Sequence, residues 1–107
     1  MMDTEEAHKM NVYDVEYTDT FGGDANYSWV RRGSVTVPEL THYGFDGLFY
    51  YAQANRRQMV QVVRKAKALM GLTNVKCRRE MHGDLIALYP YGSCTVLFIN
   101  YSEANHE

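Results

Sequence analysis

Long apolar runs are missing from this chain: none approaches the roughly 20 residues that a helix needs to cross a bilayer. Residues 1–6 are acidic and lack the basic and apolar regions of a signal peptide. Cysteine is nearly absent too, and Cys77 and Cys94 have neither metal-ligand nor redox spacing. Both sit in strand-like segments, so each reads as a buried free thiol, and a reducing, cytosolic setting (the cytoplasm of a host cell) is expected.

Catalytic signatures are also lacking. Gly22-Gly23 has neither the lysine nor the strand-to-helix context of a phosphate loop. The histidines His8, His42, His82 and His106 are scattered, and none pairs with cysteine or carboxylate at a spacing that closes a zinc site. Cys77, His82 and Cys94 could neighbour one another in a meander, as any residues of adjacent strands do. A Cys94 nucleophile assisted by His82 or His42 is conceivable chemistry, but nothing in the sequence marks Cys94 as activated. No catalytic residue, metal or cofactor is therefore assigned, and the expectation is a protein that is not an enzyme.

What is present is the composition of a folded protein: 46% hydrophobic, 22% charged and two prolines in 107 residues, enough for a single domain with one core. Nine tyrosines suit half-buried strands, where the ring packs and the hydroxyl reaches water, and they equally suit contact surfaces. Residues 1–10 and 102–107 are polar and read as loose termini.

Between those ends the hydrophobic period changes twice. Tyr13, Val15 and Tyr17 alternate with Asp14, Glu16 and Thr18, the period of a half-buried strand. Residues 19–26 carry turn chemistry. A second strand follows, with Tyr27, Trp29, Gly33, Val35 and Val37 on one face, Arg31 interrupting them, and Pro38 as the stop. Met59, Val62, Val63, Ala66, Leu69 and Met70 then recur at helical spacing. That helix has a core over 55–70 and starts at an Asn55 cap or, through Leu48, Tyr51 and Ala52, at Asp46. Gly71-Leu72 supplies its stop. The period returns to two for Val75, Cys77 and Met81, turns at His82-Gly83-Asp84, and continues through strands at 85–89 and 94–101. The order β-β-α-β-β-β implies an α+β fold, an antiparallel sheet of about five strands with one amphipathic helix on one face.

Net charge is only −2, yet the charges are segregated. Residues 1–30 hold seven acids against Lys9, residues 31–79 hold ten bases against Glu39 and Asp46, and residues 80–107 hold four acids and no base. Arg57, Arg64 and Lys67 fall along one outer side of the helix, Lys65 on the other, and Arg78 and Arg79 follow in one strand. Such a block suits phosphate backbones or an acidic protein surface, and it is also what a solvated helix face looks like. The connector at 38–51 holds five aromatic residues. Tyr43, Phe45 and Tyr50 could anchor an interface or stack on bases; alternatively the segment folds over the sheet and buries its rings, Leu48 and Phe49 foremost.

The segment Tyr13-Asp14-Val15-Glu16-Tyr17-Thr18-Asp19-Thr20-Phe21-Gly22-Gly23, with Asn26-Tyr27-Ser28-Trp29-Val30-Arg31-Arg32 behind it, resembles small accessory proteins of tailed bacteriophages and prophages. The later piece Ala68-Leu69-Met70-Gly71-Leu72-Thr73-Asn74-Val75-Lys76-Cys77-Arg78 is similar in kind. The resemblance implies a binding protein that occupies a host protein or nucleoprotein complex, as anti-CRISPR and other anti-defence inhibitors do. Binding would fall to Arg57, Arg64, Lys67, Arg78 and Arg79 for charge and to Tyr43, Phe45 and Tyr50 for anchoring. The alternative is a small nucleic-acid-binding protein using the same basic helix face and connector. No membrane partner is expected, and an open edge strand would permit a homodimer.

Overall fold

The computed structural model describes residues 10–38 and 47–102, with side chains of the helix from Arg56 onward. Among the described residues, five antiparallel strands form one open sheet and one helix crosses it. They are β1 (Met10–Phe21), β2 (Asp24–Pro38), α1 (Gly47–Leu69), β3 (Cys77–His82), β4 (Leu85–Pro90) and β5 (Thr95–Tyr101). The spatial order is β2-β1-β5-β4-β3, so α1 carries the chain from one edge of the sheet to the other. The expected α+β class and element order hold. Among the described residues, no helix is long and apolar enough to cross a membrane.

Alternation along the strands decides which side is covered. Val35 and Val37 of β2, Tyr13, Val15 and Tyr17 of β1, Leu97 and Ile99 of β5, and Ile86 and Leu88 of β4 all face α1. They meet Val62, Ala66 and Met70, one helical stripe, together with Leu72 just past the helix end. Each such fully buried aliphatic side chain contributes about 1.5–3 kcal/mol of hydrophobic stabilisation. Gln58 is buried in the same layer, where its Nε2 donates to the Tyr13 hydroxyl at 3.2 Å. Burial pushes the Tyr13 phenol up, with the Gln58 hydrogen bond opposing the shift.

The helix lies towards β2. Two contacts draw it there. Gly33 leaves room for Leu69, whose Cδ2 would sit 2.7 Å from any Cβ at that position. Lys65 Nζ donates to the Thr36 carbonyl of β2 at 2.9 Å. The helix stops as Gly71-Leu72 implied: Gly71 takes φ 76°, its N–H bonds the Ala68 carbonyl, and the Leu72 N–H reaches back to the Lys67 carbonyl at 2.7 Å. This double bond pattern satisfies carbonyls that the helix end leaves open, and the left-handed conformation costs glycine little.

Several boundaries differ from expectation. The helix takes its longer alternative and starts at Gly47, so part of the aromatic connector is helical. The first turn is only Gly22-Gly23, and β1 and β2 extend through most of 19–26. Met10 already belongs to β1, and Ser102 is buried, its N–H bonded to the Val12 carbonyl. Cys77 is half-buried, burial pushing its thiol up, whereas Cys94 is exposed rather than buried.

Candidate functional site

Because α1 leans towards β2, a concavity of about 340 Å³ opens between the helix and β3. Its lining is Val60, Val63, Arg64 and Lys67 of α1, Thr73 and Asn74 of the connection, and Arg79 of β3. The helical residues follow from spacing: Val60, Arg64 and Lys67 stand at i, i+4 and i+7, one stripe beside the core-facing one. Arg79 reaches the same side because it stands two residues beyond Cys77, opposite core-facing Leu88, and residues i and i+2 of a strand share a face. Asn74, at φ 68°, makes the left-handed step that redirects the chain from the capped helix into β3.

The charge in this groove has no counter-ion among the described residues: Arg64, Lys67 and Arg79 form no ion pair with any of them. Val60 adds a hydrophobic element, being 51% exposed. Lys67 also lies in the last helical turn, where cations complement the partial negative charge of the terminal carbonyls.

Three of the five expected basic residues thus meet. Arg57 is exposed further up the helix and does not line the groove. Arg78 points to the opposite face of the sheet, since consecutive strand residues face opposite ways. There its guanidinium lies 4.3 Å from the centre of the Tyr89 ring and pairs with Glu80, which His82 also contacts. Hydrogen bonds from Arg78 and His82 hold the Glu80 carboxyl below its usual range. Tyr43 and Phe45 lie outside the described residues; Tyr50 is in the first turns of α1, its side chain likewise outside them. Sequence reasoning missed Val60, Val63, Thr73 and Asn74. The available signal for the first was its position four residues before Arg64.

A second concavity, about 370 Å³, lies on the uncovered face and is lined by Asp14, Glu16, Tyr27, Arg32, Leu85, Phe98 and Asn100 among others. Two of its three charged side chains are engaged with each other. Glu16 pairs with Arg32 at 2.9 Å and accepts the Tyr27 hydroxyl at 3.0 Å. Tyr27 reaches that face because residues 26–29 of β2 bulge out opposite Asp19, between the Thr18–Val30 and Thr20–Ala25 pairs. At φ 57° its backbone is left-handed, which costs a bulky residue about 1–3 kcal/mol. The expected single face of Tyr27 and Trp29 is therefore split, and Trp29 packs edge-on against Tyr17 on the helix side.

Bond donors around Asp19 hold the bulge. Its carboxylate accepts from Ser28 Oγ at 2.6 Å, from the Ser28 N–H and Asn26 Nδ2 at 2.9 Å each, and from Thr18 Oγ1 at 3.2 Å. These bonds, the Ser28 hydroxyl first, keep its carboxyl well below the usual range. Buried Thr18 completes the frame: its hydroxyl accepts the Tyr27 N–H at 3.1 Å and contacts the Trp29 carbonyl at 2.7 Å.

Cys94 and His82 do not form a dyad. Cys94 precedes β5, while His82 pairs with Leu85, whose partner Asn100 stands at the far end of that strand. His42 is outside the described residues. Among the described residues, no group of three potential ligands could hold a metal ion. No protein-family model, no curated protein and no solved structure matches the chain.

Proposed function

We propose that this protein is a non-enzymatic binding module that occupies an acidic surface of a partner protein or nucleoprotein complex through the groove between α1 and β3. The observation that carries the reading is the convergence of Arg64, Lys67 and Arg79 around exposed Val60, with no counter-charge among the described residues. Three cations held on two rigid elements gain more from an incoming carboxylate than from water and salt, and the valines add a desolvated contact. A partner of mixed acidic and aliphatic character matches both features. The resemblance of segments 13–32 and 68–78 to phage accessory proteins would make that partner a host machine, with inhibition by occupation as the mode of action.

Direct binding to nucleic acid is the competing use of the same groove. An overall charge of −2 and a pI near 6.1 repel a polyanion at long range, and an aliphatic wall adds nothing to phosphate contact. Tagged wild type and a Lys67→Glu/Arg79→Glu variant separate the readings when compared for capture from nuclease-treated native lysate. Capture by wild type that the variant loses by about tenfold or more supports protein recognition. Equal capture by both overturns it. Binding to mixed oligonucleotides that falls steeply with salt moves the function to the polyanion.

A further inference from the structure

The groove has a neighbour that extends it. β3 is an edge strand, and no described residue pairs along its outer side. Its six residues keep unbroken register with β4, from Cys77–Pro90 to His82–Leu85. The two-residue turn at Gly83-Asp84 makes His82–Leu85 a hydrogen-bonded pair, and such pairs alternate along an antiparallel ladder. The Tyr91 N–H to Lys76 carbonyl bond at 3.0 Å has the same parity. Lys76, Arg78, Glu80 and His82 therefore direct their main-chain groups at β4. Cys77, Arg79 and Met81 direct theirs outward. Pro90, which has no N–H, falls opposite Cys77 where none is required.

Arg79 is thus doubly placed. Its main-chain N–H and C=O face the open edge, while its side chain lines the groove with Arg64 and Lys67. Met81, one step along the same face, is 55% exposed. The other edge of the sheet is less receptive, because β2 is broken by the bulge at 26–29 and Lys65 caps its Thr36 carbonyl.

We propose that an extended acidic segment of a partner protein adds to β3 as a sixth strand, pairing with the outward main-chain groups of Cys77, Arg79 and Met81 and setting carboxylates against the basic groove. This deepens, and rests on, the reading of that groove as a site for an acidic protein surface. Main-chain pairing supplies the affinity, and alternate side chains supply the selectivity. A carboxylate opposite Arg79 would stand at cross-strand distance, with Cβ atoms about 5 Å apart. An aliphatic residue fits opposite Met81. A second copy of this chain fits poorly: symmetric antiparallel pairing centred on Arg78, Arg79 or Glu80 sets identical charges face to face.

A short capped peptide carrying glutamate, valine and glutamate on one face and threonine on the other is the probe. Fluorescence anisotropy at low salt should show binding that Arg79→Glu weakens by about tenfold or more. Two further peptides, N-methylated on alternate sets of amides, report the strand itself. One should bind as the parent does and the other about tenfold more weakly, because only one set faces β3. If both bind like the parent, strand addition is wrong and the groove reading stands. If neither the parent peptide nor polyglutamate binds, the groove reading falls with it. A wild-type dimer in sedimentation that the peptide dissociates would assign the edge to a second copy and overturn the proposal.

Discussion

The distal half of the β1–β2 hairpin and the groove beside β3 are both rich in charge and differ in what the charges meet. In the hairpin, Glu16 has Arg32 and the Tyr27 hydroxyl, and Asp19 gathers Thr18, Asn26 and Ser28. Those groups hold an irregular backbone in place, including the left-handed Tyr27. In the groove, Arg64, Lys67 and Arg79 converge on a cavity without a described counter-ion. A polar cluster closed on itself shapes the molecule; one left open is available to another molecule. Segregation of charge along a sequence does not distinguish the two.

Hairpin variants should therefore alter stability without touching recognition, and groove variants the reverse. Thr18→Val makes the largest change, because it removes the hydroxyl that serves the Tyr27 N–H and the Trp29 carbonyl in a fully buried position. Urea denaturation should show a loss of about 2–3 kcal/mol, with peptide binding in the groove unchanged. A loss within experimental error would mean that the bulge does not depend on this hydroxyl.

Asp19→Asn tests the same frame through pH. The native carboxyl is depressed below its ordinary value of 3.8, so its contribution to stability is complete above that value and declines as pH falls through it towards the native pKa. Wild type should lose stability over that acid range more steeply than the Asn variant. Parallel stability–pH curves for the two proteins would remove Asp19 from the acid response.

The smallest effects concern exposed charge. Arg32→Ala breaks a solvated ion pair and should cost about 0–1 kcal/mol. Combined Arg64→Ala, Lys67→Ala and Arg79→Ala substitutions should leave the melting temperature within a few degrees of wild type. A marked fall in the melting temperature of the groove variant would recast those cations as structural and erase the contrast with the hairpin.

Much of this arrangement is legible in the residues. The change from period two to 3.6 and back gives the element order, and Gly71 with Leu72 marks the helix stop because capping is a local event. The approach of Arg79 to Arg64 and Lys67 was only half visible. Helical spacing aligns Arg64 with Lys67, but the tilt of α1 towards β2 comes from Gly33, Leu69 and Lys65, contacts between distant segments. Alternation alone separates Arg78 from Arg79. The bulge was hidden for a different reason: Asp19 and Thr18 bond the backbone through side chains, which leaves no periodic trace.

Pairing of β1 with β5 has a consequence in time. Tyr101 lies against Asn11 across a sequence separation of 90 residues, and this ladder is central to the sheet. The β1–β2 hairpin, α1 and the β3–β4–β5 meander can each form from neighbouring residues, but the seam that joins the two halves waits for nearly the whole chain. On a ribosome, β1 emerges first and holds an unpaired side until β5 is made. Folding is thus expected to be gated by one long-range closure, slower than its short turns suggest.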